Sequence, residues 1–245
     1  MKPFLIALLV GMFASVHAED KFESEEMVIT DLQYCDTYQG MAHDEWKTLP
    51  FQCRIEHDKV AWLGDDAVAF LPTDNDKKKK SFIRNNVEYV KYKDVVYLNC
   101  FGASTDGRKL GKGFIPAISY GENEFFVVKE GPKNGSAAPA AMFMFVSMAG
   151  GIAMDIAENI SMKNDSLYDK RRCYIYNPFN KTFTLINKDN IDLLVNDEDI
   201  IKELKDIQKR YRYSPPVIAS YFMKLGLIKS APVGVKIPED LSVYK

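Results

Sequence analysis

The chain has 245 residues, of which 47% are hydrophobic, and its 32 basic and 34 acidic side chains leave a formal net charge of -2. A chain of this length can bury a proper core, so one domain is expected and disulfides are not required for stability. The balanced charge gives no global field that would attract nucleic acid. We therefore exclude a nucleic-acid partner.

The N-terminal residues have the pattern of a cleavable secretory signal. A positive charge at Lys2 is followed by an uncharged apolar run, and Val16 and Ala18 suit the two positions before the scissile bond. We expect a signal peptide over residues 1–18 and a single domain over residues 19–245. The expected location is the periplasm, the outer envelope or the medium outside the cell.

Residues 19–130 are rich in strand-forming residues. β-branched and aromatic side chains run from Val87 to Tyr97 and from Phe114 to Val128, each time with turn residues in the middle. Such runs predict hairpins of an antiparallel sheet. The four consecutive lysines within residues 74–80 predict an exposed loop, because a run of like charge repels itself and stays solvated.

Residues 137–154 carry no charged side chain. Pro139 favours a helix that begins after it, over about residues 140–160, and the apolar span is then shorter than the roughly 20 residues that cross a bilayer. Small residues suit close packing on a sheet, although they also serve helix association in lipid. We predict a helix buried in the core, with peripheral membrane contact as the alternative.

Residues 171–228 predict a β-hairpin followed by two helices. The hairpin strands are the runs Tyr174–Tyr176 and Thr182–Ile186, which flank turn residues. The pattern as a whole indicates an α+β fold. In it an antiparallel sheet in the N-terminal half, together with this hairpin, is covered by the apolar helix and by amphipathic C-terminal helices.

The two C-terminal helices have recognisable ends. Asn196 is placed to cap the first helix, whose opening turn carries three acidic residues. Ser214 and Pro215 begin the second helix, which is expected to stop at Gly226. Residues 229–245 are expected to form an extended, partly ordered tail.

Four cysteines, Cys35, Cys53, Cys100 and Cys173, remain after the predicted signal peptide. Thiols outside the cytoplasm tend to pair, so all four are disulfide candidates, and three connectivities stay open. Their wide spacing excludes a zinc ribbon and a redox Cys-x-x-Cys motif. Four reduced core cysteines, which behave as small hydrophobes, are the equal alternative.

Few other residues suggest chemistry. His43 and His57 each adjoin carboxylates, and zinc accepts histidine nitrogen together with carboxylate oxygen, so these two are the metal candidates. Trp46 is the candidate for stacking against a ligand, although packing is the commoner role of such a ring. The chain has no Gly-x-Ser-x-Gly motif, and we assign neither a catalytic residue nor a cofactor.

The order of parts resembles that of a known group of proteins. A signal and a strand-rich half precede the hairpin strand Arg172-Cys173-Tyr174-Ile175-Tyr176, and the last capped helix ends in Tyr221-Phe222-Met223-Lys224-Leu225. This arrangement resembles the small uncharacterised exported proteins of Bacteroidota-like bacteria that are grouped as domains of unknown function. The resemblance covers roughly the last two thirds of the chain. It implies a periplasmic or outer-envelope home and carries no functional residues.

These observations favour a non-enzymatic envelope protein that binds a protein or a small ligand. One alternative is a carboxylate-dependent hydrolase of envelope or dietary polymers. Acidic residues that converge in a deep pocket with shifted pKa values would favour that enzyme. The other alternative is a membrane-associated protein that acts through residues 137–154.

Overall fold

The computed structural model describes residues 28–57, 67–105, 108–110, 112–130 and 167–245. The predicted signal peptide and the predicted apolar helix lie outside the described residues. The α+β fold is confirmed, with a mostly antiparallel sheet and several helices. Within the described ranges no helix has the length and apolar character that crossing a bilayer requires.

The described residues form thirteen strands, five α-helices and one 3-10 helix. The strands are β1 Val28–Ile29, β2 Gln33–Cys35, β3 Lys47–Thr48, β4 Cys53–His57, β5 Val68–Pro72, β6 Tyr89–Tyr92, β7 Val95–Asn99, β8 Ser104–Thr105, β9 Arg108–Lys109, β10 Phe114–Tyr120, β11 Glu124–Glu130, β12 Arg171–Asn177 and β13 Thr182–Leu185. The helices are α1 Tyr38–Ala42, α2 Lys77–Asn86, α3 Ile191–Val195, α4 Glu198–Asp206, α5 Pro215–Lys224 and the 3-10 helix Leu241–Tyr244.

All of these strands belong to one sheet. Its order is β3-β2-β6-β7-β10-β11-β12-β13-β8-β9, and the group β1-β4-β5 joins it where Val68 of β5 pairs with Phe114 of β10. The described pairs are antiparallel except that of β13 with β8, in which Thr182 lies opposite Ser104. The predicted C-terminal hairpin, β12-β13, continues the N-terminal sheet because β12 pairs with β11.

Both N-terminal hairpins are confirmed. Strands β6 and β7 turn at Lys93 and Asp94, whose φ angles are 48° and 61°. Two successive residues with positive φ match the right-handed twist of the flanking strands, which is why short hairpins favour them. Strands β10 and β11 turn at Gly121, whose φ of 57° costs a glycine little.

Successive side chains of a strand point to opposite faces, so β11 contributes to two of the three described hydrophobic cores. On β11, Phe126 and Val128 pack with the C-terminal helices, whereas Phe125 and Val127 belong to the other core. The ring of Phe222 from α5 lies 5.4 Å from that of Phe126. The two amphipathic helices α4 and α5 therefore pack on the sheet, as predicted.

The predicted cap of α4 is wrong by one residue. The Asp197 side chain accepts the hydrogen bond from the backbone N–H of Ile200 at 3.0 Å. Asn196 has a left-handed backbone with φ of 47° and ends the short helix α3. Asparagine tolerates this conformation, so Asn196 stops one helix and the following aspartate begins the next.

The predicted loop over residues 74–80 is also wrong, because α2 begins at Lys77. The Asp76 carboxylate accepts from the backbone N–H of Lys78 at 2.7 Å and of Lys79 at 3.0 Å. This cap starts the helix in spite of the like charges, and the packing of Ile83 in the core holds it in place.

The C-terminal tail packs against the helical side of the sheet. The Arg171 guanidinium donates to the carbonyl oxygen of Gly234 at 2.9 Å. The backbone N–H of Gln208 donates to the carbonyl oxygen of Tyr244 at 2.9 Å. The Tyr244 ring lies 5.3 Å from that of Tyr211. A buried aromatic ring near the last residue thus orders a segment whose composition indicates an extended end.

Candidate ligand-binding cavity

A half-open cavity of about 380 Å³ lies at strands β4 and β5 and helix α2, and we call it the α2 cavity. Its volume falls within the roughly 300 to 1,000 Å³ that is usual for small-molecule sites. The apolar lining residues are Ala69, Phe70, Leu71, Ile83, Phe101 and Phe114. The polar lining residues are Arg54, Glu56, Asn75, Lys80 and Arg84.

The pairing of β4 with β5 positions one polar part of this cavity. Arg54 lies opposite Leu71, and Glu56 lies opposite Ala69. Residues two apart on a strand share a face, and so do residues directly opposite each other in an antiparallel pair. The register therefore places Arg54 and Glu56 on one face of the sheet.

Hydrogen bonds hold the Arg54 side chain between β4 and the loop that precedes α2. Its Nε donates to Glu56 Oε1 at 3.1 Å, and its Nη2 donates to Asn75 Oδ1 at 3.4 Å. The side chains of Arg54 and Glu56 are 18% and 29% exposed, so solvent screens this ion pair only in part. Asn75 lies in the loop before α2, with a positive φ of 58°.

Helix α2 contributes two further cations. Lys80 and Arg84 are four residues apart and therefore lie on the same face of the helix. The Arg84 guanidinium lies 5.3 Å from the centre of the Phe101 ring. Asn99 Nδ2 donates to the carbonyl oxygens of Arg84 at 3.0 Å and of Val87 at 2.6 Å, which anchors the C-terminal end of α2 beside β7.

The charge of the lining is positive. Arg54, Lys80 and Arg84 carry three positive charges, and Glu56 carries the single negative charge. A half-enclosed, partly apolar wall strengthens the field of such charges relative to bulk water. The α2 cavity therefore favours an anionic group over a cationic one.

The lining does not provide the two carboxylates that glycoside hydrolysis uses. Glu56 is the only acid among the lining residues, and it is already paired with Arg54. Among the described residues, three carboxyl groups outside this cavity have a lowered pKa because they accept hydrogen bonds. They are Asp36 beside Lys47, Asp74 beside Lys79 and Asp240 beside Ser242.

The two histidines proposed as metal ligands lie on different parts of the fold. His43 is exposed and directly follows α1. His57 is the last residue of β4, opposite Val68, and its side chain is not among those described. Across the described ranges, no group of three or more His, Cys, Asp or Glu residues is placed to hold a metal ion. A metal site at these histidines stays a prediction.

Trp46 is half-buried and packs against the core that contains Phe125 and Val127. The Lys91 ammonium lies 5.6 Å from the centre of its indole ring, and the same ammonium lies 3.9 Å from Asp44 Oδ1. Trp46 does not line the α2 cavity. Its role in stacking against a ligand stays a prediction.

All four cysteines are buried free thiols in the structure. Cys173 belongs to the core that contains Phe126, and Cys35 and Cys100 belong to the core that contains Phe125. Cys53 belongs to a third core, which contains Ile83 of α2. Burial raises the pKa of Cys35 and of Cys53 to about 11 and that of Cys100 to about 12. Burial also raises the pKa of Cys173.

One charged residue lies inside the sheet. Lys129 of β11 is only 2% exposed, although it lies opposite the exposed Arg172 of β12. A buried charge is costly, so the burial of Lys129 bears on the stability of the fold.

None of the polar lining residues of the α2 cavity was singled out from the sequence. The segment Cys53-Arg54-Ile55-Glu56 does carry a signal, because opposite charges alternate with apolar residues as on a half-buried strand. Lys80 belongs to the run of four lysines, which indicates only an exposed loop, and Arg84 lies beyond that run.

Comparison with known proteins assigns the chain to a family. A model described as a family of unknown function (DUF6563) matches residues 33–229, which include every residue that lines the α2 cavity. The chain is thus an α+β protein that belongs to the DUF6563 family. No curated protein matches the chain, and no solved structure matches it.

Proposed function

We propose that this protein is an exported, non-enzymatic binding module that takes a small, partly apolar ligand of the cell envelope into the α2 cavity. The observation that carries the proposal is the cavity itself. It is half-open, its volume is about 380 Å³, and apolar side chains are combined in its lining with a few polar ones. This combination is typical of small-molecule sites.

The chemistry of the lining supports binding over catalysis. Its single carboxylate, Glu56, is held in an ion pair with Arg54, so a second acid to complete an acid–base pair is missing from the lining. The N-terminal pattern of residues 1–18 supports export to the periplasm, the outer envelope or the medium.

A fluorescent probe with an apolar ring system and one sulfonate group tests this function. We expect 1-anilinonaphthalene-8-sulfonate to bind the purified protein saturably, with one molecule per chain. Leu71→Trp places a larger side chain in the lining of the cavity and should abolish this signal. Thr184→Trp introduces the same side chain at an exposed position of β13 and should leave the titration unchanged.

Two results would contradict the proposal. One is the absence of saturable binding. The other is a titration that Leu71→Trp leaves unaltered while near-ultraviolet circular dichroism shows that the fold is intact, since the probe also binds loosely packed states without any defined cavity.

A further inference from the structure

Two cations of the α2 cavity have no carboxylate partner within the part of the chain that the structure describes. Lys80 and Arg84 lie on one face of α2, and among the described residues neither side chain forms an ion pair. The Arg84 guanidinium instead lies over the Phe101 ring at 5.3 Å. A planar cation on an aromatic ring keeps the edges of its guanidinium available to an anion.

The third cation, Arg54, donates to two side chains that also line the cavity. Glu56 and Asn75 each accept one hydrogen bond from it, at 3.1 Å and 3.4 Å. A guanidinium has five N–H donors in a planar fork, which suits the two oxygens of a carboxylate or phosphate group. Glu56 thus accepts the hydrogen bond from Nε of Arg54, and its carboxylate competes with any other anion for this guanidinium.

Apolar side chains line the same cavity as these charges. Of these, Leu71 and Phe101 are half-buried, so part of their surface remains exposed to water. An inorganic ion would make no use of this surface, whereas a hydrocarbon or aromatic body would remove it from water. The lining therefore offers both positive charges and apolar surface. A neutral apolar molecule would use only the second, and a bare anion would use only the first.

We propose that the ligand of the α2 cavity is an amphipathic anion, with one carboxylate or phosphate group and an apolar body. The anionic group binds Arg54, Lys80 and Arg84, and the body packs on the apolar lining. This inference rests on the proposed function and names the class of ligand. Glu56 opposes binding, because its carboxylate repels the anionic group and competes for Arg54.

Two matched probes test the class of ligand. 1-Anilinonaphthalene-8-sulfonate and N-phenyl-1-naphthylamine share the same ring system, and only the first carries a negative charge. The charged probe should bind about tenfold more tightly, and its affinity should fall when salt rises from about 0.05 M to about 0.5 M. Decanoate and decyl phosphate should displace it, which distinguishes the two anionic groups, whereas decanol should displace it poorly.

Charge substitutions locate the anionic group. Lys80→Gln and Arg84→Gln should each weaken binding of the charged probe by roughly three- to tenfold and leave the neutral probe unaffected. Glu56→Gln should tighten binding of the charged probe. Lys202→Gln removes a lysine from the exposed side of α4 and is the matched control, with no expected effect.

The outcomes separate the two proposals. If the neutral probe binds saturably and as tightly as the charged one, and Leu71→Trp abolishes both, the cavity binds ligands but the anionic class is wrong. Insensitivity to salt, or weaker binding after Glu56→Gln, would also overturn the anionic class. If neither probe binds saturably, the proposed function itself fails.

Discussion

Arg54 and Glu56 are two residues apart on β4, and Arg54 Nε donates to Glu56 Oε1 at 3.1 Å beside the α2 cavity. Because both side chains are partly shielded from solvent, we expect this pair to contribute more to stability than an exposed pair does. A double-mutant cycle of Arg54→Gln and Glu56→Gln in urea unfolding should give a coupling free energy of about 1 kcal/mol.

Lys224 and Glu203 form an exposed ion pair with Nζ 3.2 Å from Oε1, and they provide the control cycle. Its coupling should be smaller. Additive effects of the two substitutions at Arg54 and Glu56 would show that this ion pair does not contribute to the free energy of unfolding.

The buried Lys129 leads to a second prediction. Replacing it by methionine keeps the approximate length of the side chain and removes a charge that is buried in the sheet. The free energy of unfolding in urea should therefore stay the same or increase. Lys129→Ala is the comparison, and it should lower stability by about 2 kcal/mol because it leaves a cavity. A large loss of stability in Lys129→Met would show that the ammonium has a partner.

The four buried thiols lead to a third prediction. Protein purified after export should contain four free thiols when unfolded in denaturant, and in the folded state these should react very slowly with a thiol reagent at about pH 8. Burial raises the pKa of Cys35 and of Cys53 to about 11, so little reactive thiolate is present. Fewer than four thiols after unfolding would instead indicate a disulfide.

The same pKa shifts predict how stability depends on pH. An unfolded cysteine titrates near pH 8.5, whereas the folded pKa of Cys100 is raised to about 12. Between these values the folded state keeps a proton that the unfolded state loses, so the free energy of unfolding falls as the pH rises. The slope is about 1.4 kcal/mol per pH unit for each such thiol. Cys100→Ala should make the decline shallower. An unchanged slope would show that the buried thiol of Cys100 does not cause the decline.

Elements with local signals could be predicted from the sequence. The β6-β7 and β10-β11 hairpins are marked by turn residues between apolar runs, and α5 by Ser214 and Pro215 at its start. Helix α2 was missed because four lysines obscured the cap at Asp76. In that segment a single side-chain hydrogen-bond acceptor had more influence on the backbone than the repulsion between exposed charges.

The candidate site could not be predicted, for a different reason. Its lining residues come from β4, β5, α2, β10 and the segments after β5 and β7, and they are spread from Arg54 to Phe114. Only the pairing of distant strands brings them together, as the contact between Val68 and Phe114 illustrates. A pattern read along the chain does not contain that information.

The proposed export leads to a further prediction. N-terminal sequencing of protein isolated from the native host should begin at Glu19, because Val16 and Ala18 suit the cleavage site. The protein should fractionate outside the cytoplasm. A native chain that begins at Met1, or one that is recovered with the cytosol, would end this interpretation.

The most direct test of ligand binding in the α2 cavity is a titration of the isotope-labelled protein with decanoate, followed by amide chemical shifts. The account predicts shift changes that saturate at one equivalent and are largest at Arg54, Glu56, Lys80 and Arg84. Changes that are largest on α4 and α5, or no saturable change at all, would contradict it.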